Sequence, residues 1–206
     1  MKAEKLDQKF DDGEDVLDLF DLTTLKRHDL DIQPISPEFD LQEFLSILGD
    51  NPKINIIGSP GSGKSTLAKI IYQQLDVPIY DLDIMFYDES CNLKNNDERI
   101  NSLSNISQCN SLIIDGTYSS SFESRLCLVD TVVLVESSTA RCLYNFFKRL
   151  LYTKNLKCGE RFTSKTFMLI LQFNCRIKNI LIQTTLKYNK QVYIYNGRKF
   201  SAIKTI

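Results

Sequence analysis

A run of small and polar residues lies between an apolar, strand-like segment and a helical pattern. Within it, Gly58, Gly63, Lys64 and Ser65 satisfy the spacing G-x-x-x-x-G-K-[ST]. Glycines let backbone N–H groups turn inward as an anion nest, and the N-terminus of the following helix adds partial positive charge. Lys64 can reach the β- and γ-phosphates of a nucleotide, and the Ser65 hydroxyl can ligate Mg²⁺. The spacing therefore predicts a phosphate-binding loop (P-loop) that takes Mg²⁺ and ATP. The residues predicted to contact the nucleotide are Gly58, Ser59, Pro60, Gly61, Ser62, Gly63, Lys64, Ser65 and Thr66.

Two carboxylates follow apolar, strand-like runs. Asp115 closes one such run, and Asp83 comes shortly after another. In an open α/β sheet the ligand site lies beyond the carboxyl ends of the strands, so both side chains are expected there. Asp115 can hold Mg²⁺ through water opposite Ser65, and Asp83 can orient or deprotonate an acceptor hydroxyl. Asp81 is the alternative to Asp83 for the second role.

The elements that must position these residues begin at Lys53, where strand-like and helical patterns start to alternate. Such alternation is typical of a parallel sheet with crossover helices. The strands are predicted near residues 53–57, 77–80, 111–115, 131–135 and 191–195. The chain over residues 51–206 is therefore predicted to be an α/β P-loop domain with a five-stranded parallel sheet, flanking helices and a small lid. A polar, basic stretch is expected at residues 153–165. Long helices are expected from about Thr139 to Tyr152 and from the end of that stretch to about Lys187.

Residues 1–50 differ in composition, with 5 Lys or Arg against 14 Asp or Glu and no strand-like alternation. They are predicted to form an acidic extension that is partly helical or disordered. Short helices are expected near 14–20 and 40–48. The second would begin after Asp40 as an N-cap and end at Gly49.

The remaining chain is basic, with 14 Lys or Arg and a single acid over residues 141–206. A basic surface suits a polyanionic ligand such as a nucleotide, although it also suits a solvated face that answers the acidic extension. No run of 18 or more apolar residues is present, and the N-terminus is acidic where a signal peptide would be basic. The protein is expected to be soluble and cytoplasmic, with no membrane partner. Its six cysteines lie far apart and are expected to be reduced and mostly buried.

The chain from about 53 to 200 resembles the adenylate-kinase-like proteins called DNA topology modulation (FlaR-type) proteins. The segments that carry the resemblance are Ile56–Ala68, Pro78–Asp83 with Phe86-Tyr87, Ile113–Tyr118, Arg125-Leu126 with Val129–Val132, and Cys142–Tyr144 with Lys148-Arg149. The resemblance implies a nucleoside- or nucleotide-kinase-like fold that binds ATP and a small-molecule acceptor. It also implies that Asp83, Gly116, Tyr118 and Arg125 contribute to the acceptor site.

The chain departs from that family's pattern at positions that bear on catalysis. Thr117 and Tyr87 stand where the family has Asn and Trp, and Asn145 stands where a basic residue is expected. Kinases of this class use arginines near a mobile lid to neutralise charge on the transferred phosphoryl group. The remaining arginines of this region are Arg141, Arg149 and Arg161. Arg149 occupies the matching position. The residues predicted to be catalytic are Lys64, Asp83, Arg149 and Arg161.

The opening residues, about 1–33, also resemble the N-terminus of small bacterial antitoxins of the CopG/BrnA type. There the segment precedes a ribbon-helix-helix DNA-binding module, which is not recognisable in this chain. The resemblance therefore transfers no nucleic-acid-binding residue. Residues 1–38 are expected either to bind a protein partner or to dock on the basic C-terminal third of the chain.

Three functional hypotheses follow from these features. The first is a small-molecule kinase that transfers the γ-phosphoryl group of Mg-ATP. The second is an ATP-binding regulator in which the altered lid region leaves a nucleotide-dependent switch. The third is a toxin or antitoxin component that phosphorylates a nucleic-acid end or a sugar nucleotide. The sequence does not name the acceptor.

Overall fold

The computed structural model describes residues 38–152, residue 158 and residues 164–203. Over these ranges the chain forms one six-stranded sheet with helices packed on it. The strands are β1 Lys53–Gly58, β2 Ile79–Asp81, β3 Leu112–Asp115, β4 Thr131–Val135, β5 Gln191–Tyr195 and β6 Phe200–Ile203. The helices are α1 Leu41–Leu48, α2 Lys64–Leu75, α3 Leu82–Met85, α4 Asn96–Ile106, α5 Phe122–Leu126, α6 Thr139–Tyr152, α7 Ser164–Gln172 and α8 Lys178–Lys187, with a π-helical turn at Phe173–Ile177 between the last two.

The strand order is β2-β3-β1-β4-β5-β6, and the first five strands of this order run parallel. Strands β3 and β4 are buried along their whole length, as expected for strands covered on both faces. The register pairs Ile56 with Asp115 and Asp81 with Asp115. The carboxyl ends of β1, β2 and β3 therefore meet at one edge of the sheet. The prediction of an α/β fold with five parallel strands is confirmed.

The sheet has one more strand than the sequence predicted, because β6 pairs antiparallel with β5. A tight turn joins the two strands, with Asn196 N donating to Lys199 O at 3.1 Å and Gly197 at a φ of 93°. The last strand predicted from the sequence was the one near 191–195, and no strand was predicted after it. The alternation in β6 is only four residues long, which is too short to distinguish a strand from irregular chain.

Helix α1 packs against this added edge. The Asp40 side chain accepts a hydrogen bond from Glu43 N at 2.9 Å, and Gly49 ends the helix with a φ of 71°, so the helix predicted at 40–48 is confirmed. Phe44 is fully buried and stacks on Phe200 with ring centroids 4.1 Å apart. The helix predicted near 14–20 and the antitoxin-like segment lie outside the described residues.

The single helix expected to run to Lys187 is interrupted by the π-helical turn at Phe173–Ile177. There, Asn174 Nδ2 donates to Ser137 O at 3.0 Å and to Thr139 Oγ1 at 3.1 Å. These bonds tie the turn to the start of α6. Apart from residue 158 and the first residues of α7, the polar stretch 153–165 lies outside the described residues.

The prediction that all cysteines are reduced is wrong for one pair, since Cys91 and Cys158 form a disulfide. Their separation of 67 residues gave no local spacing signal. Of the other cysteines with a described environment, Cys142 is buried, Cys109 is half-buried and Cys127 is exposed. None of the described helices has the length and apolar character needed to cross a membrane.

We predict that deleting residues 1–37 leaves the thermal unfolding of the P-loop domain nearly unchanged, whereas deleting residues 1–48 lowers its melting temperature strongly. The second deletion uncovers Phe200, which α1 shields. Single substitutions in α1 test the same contribution, with the free energy of unfolding measured by chemical denaturation of the full chain. Phe44→Ala should cost about 3–5 kcal/mol of unfolding free energy, as for other buried phenylalanines.

Ile47→Ala is the matched control, because Ile47 lies on the same helix with 45% of its surface exposed. Its cost should stay within roughly 0.5 kcal/mol. Equal costs for the two variants would show that α1 does not contribute to the core.

Candidate functional site

The predicted phosphate-binding loop connects β1 to α2. Gly61 and Gly63 have φ angles of 80° and 104°, which favour glycine. A Cβ on Gly61 would lie 2.3 Å from the carbonyl oxygen of Cys142, so α6 packs directly on the loop there. A Cβ on Gly63 would meet no atom within 4 Å. The loop is therefore supported on one side and open on the other.

Lys64 lies at the first position of α2, and its ammonium group donates to the carbonyl oxygen of Ser59 at 3.0 Å. Burial lowers the pKa of Lys64, and the nearby charges of Asp115 and Asp83 oppose this effect. The positive charge of Arg149 acts in the same direction as burial. Two predicted carboxylates, Asp115 and Asp83, and one predicted arginine, Arg149, therefore lie within electrostatic range of Lys64.

Asp115 and Ser65, the two predicted metal ligands, lie close enough for the Ser65 hydroxyl to affect the carboxylate. Burial raises the pKa of Asp115, while the charge of Lys64 and the Ser65 hydroxyl counteract that rise. One oxygen of the carboxylate, Oδ1, is buried and has no hydrogen-bond partner. An unsatisfied buried oxygen beside a hydroxyl fits a hydrated Mg²⁺, a cation that prefers oxygen ligands.

In the part of the chain that the structure describes, no group of three His, Cys, Asp or Glu side chains could hold a metal ion by itself. Mg²⁺ is commonly bound through one or two carboxylates together with substrate phosphates. Ser65 and Asp115 are the residues that would hold it.

Asp83 lies in the short helix α3 and faces Tyr118. The Tyr118 hydroxyl donates to Asp83 Oδ1 at 2.6 Å, and burial followed by the charge of Asp83 raises the pKa of Tyr118 far above its usual value. The alternative residue, Asp81, instead uses its side chain to accept from Asp83 N at 2.9 Å and so caps α3. Asp83 Oδ1 is thus bonded to the segment after β3, whereas Asp81 Oδ1 is bonded to the start of α3.

The residues after β3 form a turn, Gly116–Tyr118, and Arg125 donates hydrogen bonds to its backbone. Arg125 Nη1 donates to the carbonyl oxygen of Gly116 at 2.8 Å and to Asn55 Oδ1 at 3.1 Å. Its Nη2 donates to the Tyr118 carbonyl at 2.5 Å, and its Nε to Ser121 O at 3.3 Å. Burial lowers the pKa of the Arg125 guanidinium to about 9, which leaves it charged at neutral pH.

Arg125 was expected in the acceptor site through the family resemblance. The structure places it in the core with no exposed surface, and its guanidinium is committed to the backbone of the turn. It can act on a ligand only through the residues that it holds.

Helix α6 carries two of the three candidate arginines, Arg141 and Arg149. Arg149 lies close enough to Lys64 to affect its pKa, whereas Arg141 is exposed near the start of the helix. Asn145 Nδ2 donates to the carbonyl oxygen of Gly61 at 2.9 Å. The position where a basic residue was expected therefore contacts the loop backbone. Arg161 lies outside the described residues.

Two residues with evident roles were not singled out from the sequence. Thr117 was noted only as a departure, yet its hydroxyl bonds to Gly58 of the loop. Asn55 lies in the middle of an apolar strand and receives a bond from Arg125. A polar residue within a buried strand was the available signal, because buried polar groups require partners.

Comparison with known proteins finds solved structures that resemble this chain at low sequence identity. No family model matches the chain, and no curated protein matches it. Shikimate kinase from Bacteroides thetaiotaomicron is 20% identical with a TM-score of 0.42 over 70% of this chain and 86% of that one. Deoxyadenosine kinase from M. mycoides, with dCMP and dCDP bound, is 16% identical with a TM-score of 0.44 over 70% and 89%. Shikimate kinase from Acinetobacter baumannii, in complex with shikimate, is 12% identical with a TM-score of 0.47 over 75% and 88%.

These values do not transfer a substrate or an activity to this chain. The fold class is established by the chain's own features, namely the parallel sheet and the loop between β1 and α2. They define an α/β protein of the P-loop class.

We predict that Arg125→Lys destabilises the protein by about 1–3 kcal/mol, the usual cost of leaving buried acceptors unsatisfied. Lysine keeps the charge but cannot reach the carbonyls of Gly116 and Tyr118 together. Arg198→Lys, in the exposed turn between β5 and β6, is the control and should change stability by roughly 0.5 kcal/mol or less. Urea denaturation measures both, and a neutral result for Arg125→Lys would contradict the supporting role.

Proposed function

We propose that this protein is a phosphotransferase that binds Mg-ATP and transfers the γ-phosphoryl group to a small molecule of the nucleoside or nucleotide type. The observation that carries the proposal is that Lys64, which begins the helix after β1, lies within electrostatic range of Asp115 at the end of β3, of Asp83 and of Arg149. A phosphoryl-transfer site needs a cation for the phosphates, oxygen ligands for a metal and a carboxylate for the acceptor. This grouping contains all three.

In the proposed reaction, the loop amides and Lys64 bind the β- and γ-phosphates of ATP. Asp83 accepts the proton of the acceptor hydroxyl as the acceptor oxygen bonds to the γ-phosphorus and the bond to the β,γ-bridging oxygen breaks, which releases ADP. Tyr118 orients the Asp83 carboxylate through its 2.6 Å hydrogen bond. Arg149 neutralises charge that develops on the transferred group. When bound at Ser65 and Asp115, Mg²⁺ supplies electrostatic stabilisation of the phosphate oxygens.

A specific observation favours a second candidate, an ATP-binding regulator with weak or no transfer activity. The side-chain amide of Asn145 donates to Gly61 O and is uncharged. Position 145 therefore supplies no positive charge to the phosphoryl group during transfer. Loss of one such charge can slow transfer by 10³-fold or more. The two candidates differ in turnover and agree on ATP binding.

The resemblance to topology modulation proteins supports the adenylate-kinase-like version of the proposal over residues 53–200. We also propose that residues 1–38 bind a protein partner, on the basis of their acidic and amphipathic composition. The deletion of residues 1–37 introduced above tests this, since it should abolish partner capture without lowering the melting temperature of the domain.

We predict that Lys64→Ala weakens Mg-ATP binding about tenfold or more, because it removes a charge-assisted contact to phosphate. Isothermal titration calorimetry measures the dissociation constant. Lys69→Ala is the control, since Lys69 is exposed on the same helix and should leave binding within about twofold of wild type. Equal affinities for wild type and Lys64→Ala would remove the loop as the nucleotide site.

We predict that Asp83→Asn lowers phosphoryl transfer by about 10² or more while Mg-ATP still binds, as expected for loss of a general base. ADP release is measured over a panel of nucleosides, nucleotides and RNA ends. Asp97→Asn, exposed on α4, serves as the control, and Asp81→Asn tests the alternative. Full turnover by Asp83→Asn together with loss in Asp81→Asn would reassign the role. Mg-ATP binding without turnover on any acceptor would favour the regulator.

A further inference from the structure

The hydroxyl of Thr117 makes two hydrogen bonds to one residue of the phosphate-binding loop. Thr117 Oγ1 accepts from the backbone N–H of Gly58 at 2.9 Å and donates to the carbonyl oxygen of Gly58 at 2.9 Å. Gly58 is both the last residue of β1 and the first glycine of the loop. One side chain from the segment that follows β3 therefore contacts the point at which the loop leaves the sheet.

The ladder between β1 and β3 does not extend to this point. Its last pair is Ile56 with Asp115, and the Gly116 amide donates to Ile56 O at 3.3 Å. Gly58 is buried, so its N–H and C=O groups need partners. The Thr117 hydroxyl supplies a partner to each group on the β3 side, where backbone pairing has stopped.

The backbone of Gly58 is closely surrounded by other atoms. A Cβ at this position would lie 2.7 Å from Ser62 Oγ and 2.8 Å from the carbonyl oxygen of Val135. The backbone of Gly58 is thus enclosed by the loop itself and by β4. A shift of Gly58 would move the whole loop relative to Asp115.

The turn that carries Thr117 is itself held in place. Arg125 binds the carbonyl groups of its neighbours Gly116 and Tyr118, at 2.8 and 2.5 Å. The backbone on both sides of Thr117 is therefore fixed by Arg125, and this fixes the position of the Thr117 hydroxyl next to Gly58.

We propose that Thr117 is a positioning residue for nucleotide binding, which aligns the phosphate-binding loop by clamping both backbone groups of Gly58. The inference rests on the proposed binding of Mg-ATP. Thr117 acts through Gly58 and does not itself contact phosphate. The hydroxyl is the necessary group, because a methyl group in its place can neither donate nor accept.

The test compares Thr117→Val, which keeps the shape and loses the hydroxyl, with Thr117→Ser, which keeps the hydroxyl. Calorimetry with Mg-ATP on the full chain, at a temperature where circular dichroism shows each variant folded, gives the dissociation constants. We expect Thr117→Val to weaken binding about three- to tenfold, the equivalent of one net hydrogen bond, and Thr117→Ser to stay within about twofold of wild type. Thr117→Ala replaces Thr117→Val if the latter does not fold.

Thr185→Val is the matched control for a purely structural effect. Thr185 is fully buried in α8, and its hydroxyl donates to Leu181 O at 2.7 Å. This variant should lose stability and keep its affinity for Mg-ATP. Equal affinity losses in Thr117→Val and Thr185→Val would overturn the positioning role.

Lys64→Ala is measured in the same experiment. It distinguishes failure of the Thr117 positioning role from failure of the proposed Mg-ATP binding. If wild type binds Mg-ATP, Lys64→Ala loses it and Thr117→Val matches wild type, the positioning role is wrong and the proposed function stands. If wild type binds no better than Lys64→Ala, the loop is not the nucleotide site and both proposals fail.

Discussion

A buried guanidinium determines how the carboxyl edge of the sheet is arranged. Arg125 has no exposed surface, and it donates hydrogen bonds to three backbone carbonyls and to the side-chain oxygen of Asn55. Burying a charge is costly unless hydrogen bonds compensate, so this geometry tolerates little displacement of its partners. The turn Gly116–Tyr118 is consequently held against β1 and α5.

Both halves of the candidate site depend on that turn. Thr117 bonds to the first glycine of the phosphate-binding loop, and Tyr118 bonds to the carboxylate of Asp83. Asp115, directly before the turn, lies close enough to Ser65 for the hydroxyl to affect the pKa of the carboxylate. In the proposed function, the nucleotide side and the acceptor side would therefore be positioned by Thr117 and Tyr118, two consecutive residues that follow β3, and this would help to align the two substrates.

Much of this arrangement could be predicted from the sequence, because it depends on local patterns. The loop motif, the apolar strands and the capped helix after Asp40 have short-range signals, and the parallel topology brings the strand ends together. The parts that could not be predicted depend on contacts distant in sequence. The Cys91–Cys158 disulfide, the burial of Arg125 and the bond between Thr117 and Gly58 each join residues far apart in the chain. Strand β6 escaped detection for a different reason, since four residues carry too little periodicity.

The most direct measurement is a crystal structure of the chain over residues 1–206 with Mg²⁺ and a non-hydrolysable ATP analogue. We expect the β- and γ-phosphates to contact the loop amides and the Lys64 ammonium, which would then leave the Ser59 carbonyl. We also expect the metal at the Ser65 hydroxyl beside Asp115, with the bonds between Thr117 and Gly58 retained. A nucleotide bound elsewhere, with the loop between β1 and α2 empty, would contradict the assignment of this edge of the sheet as the functional site.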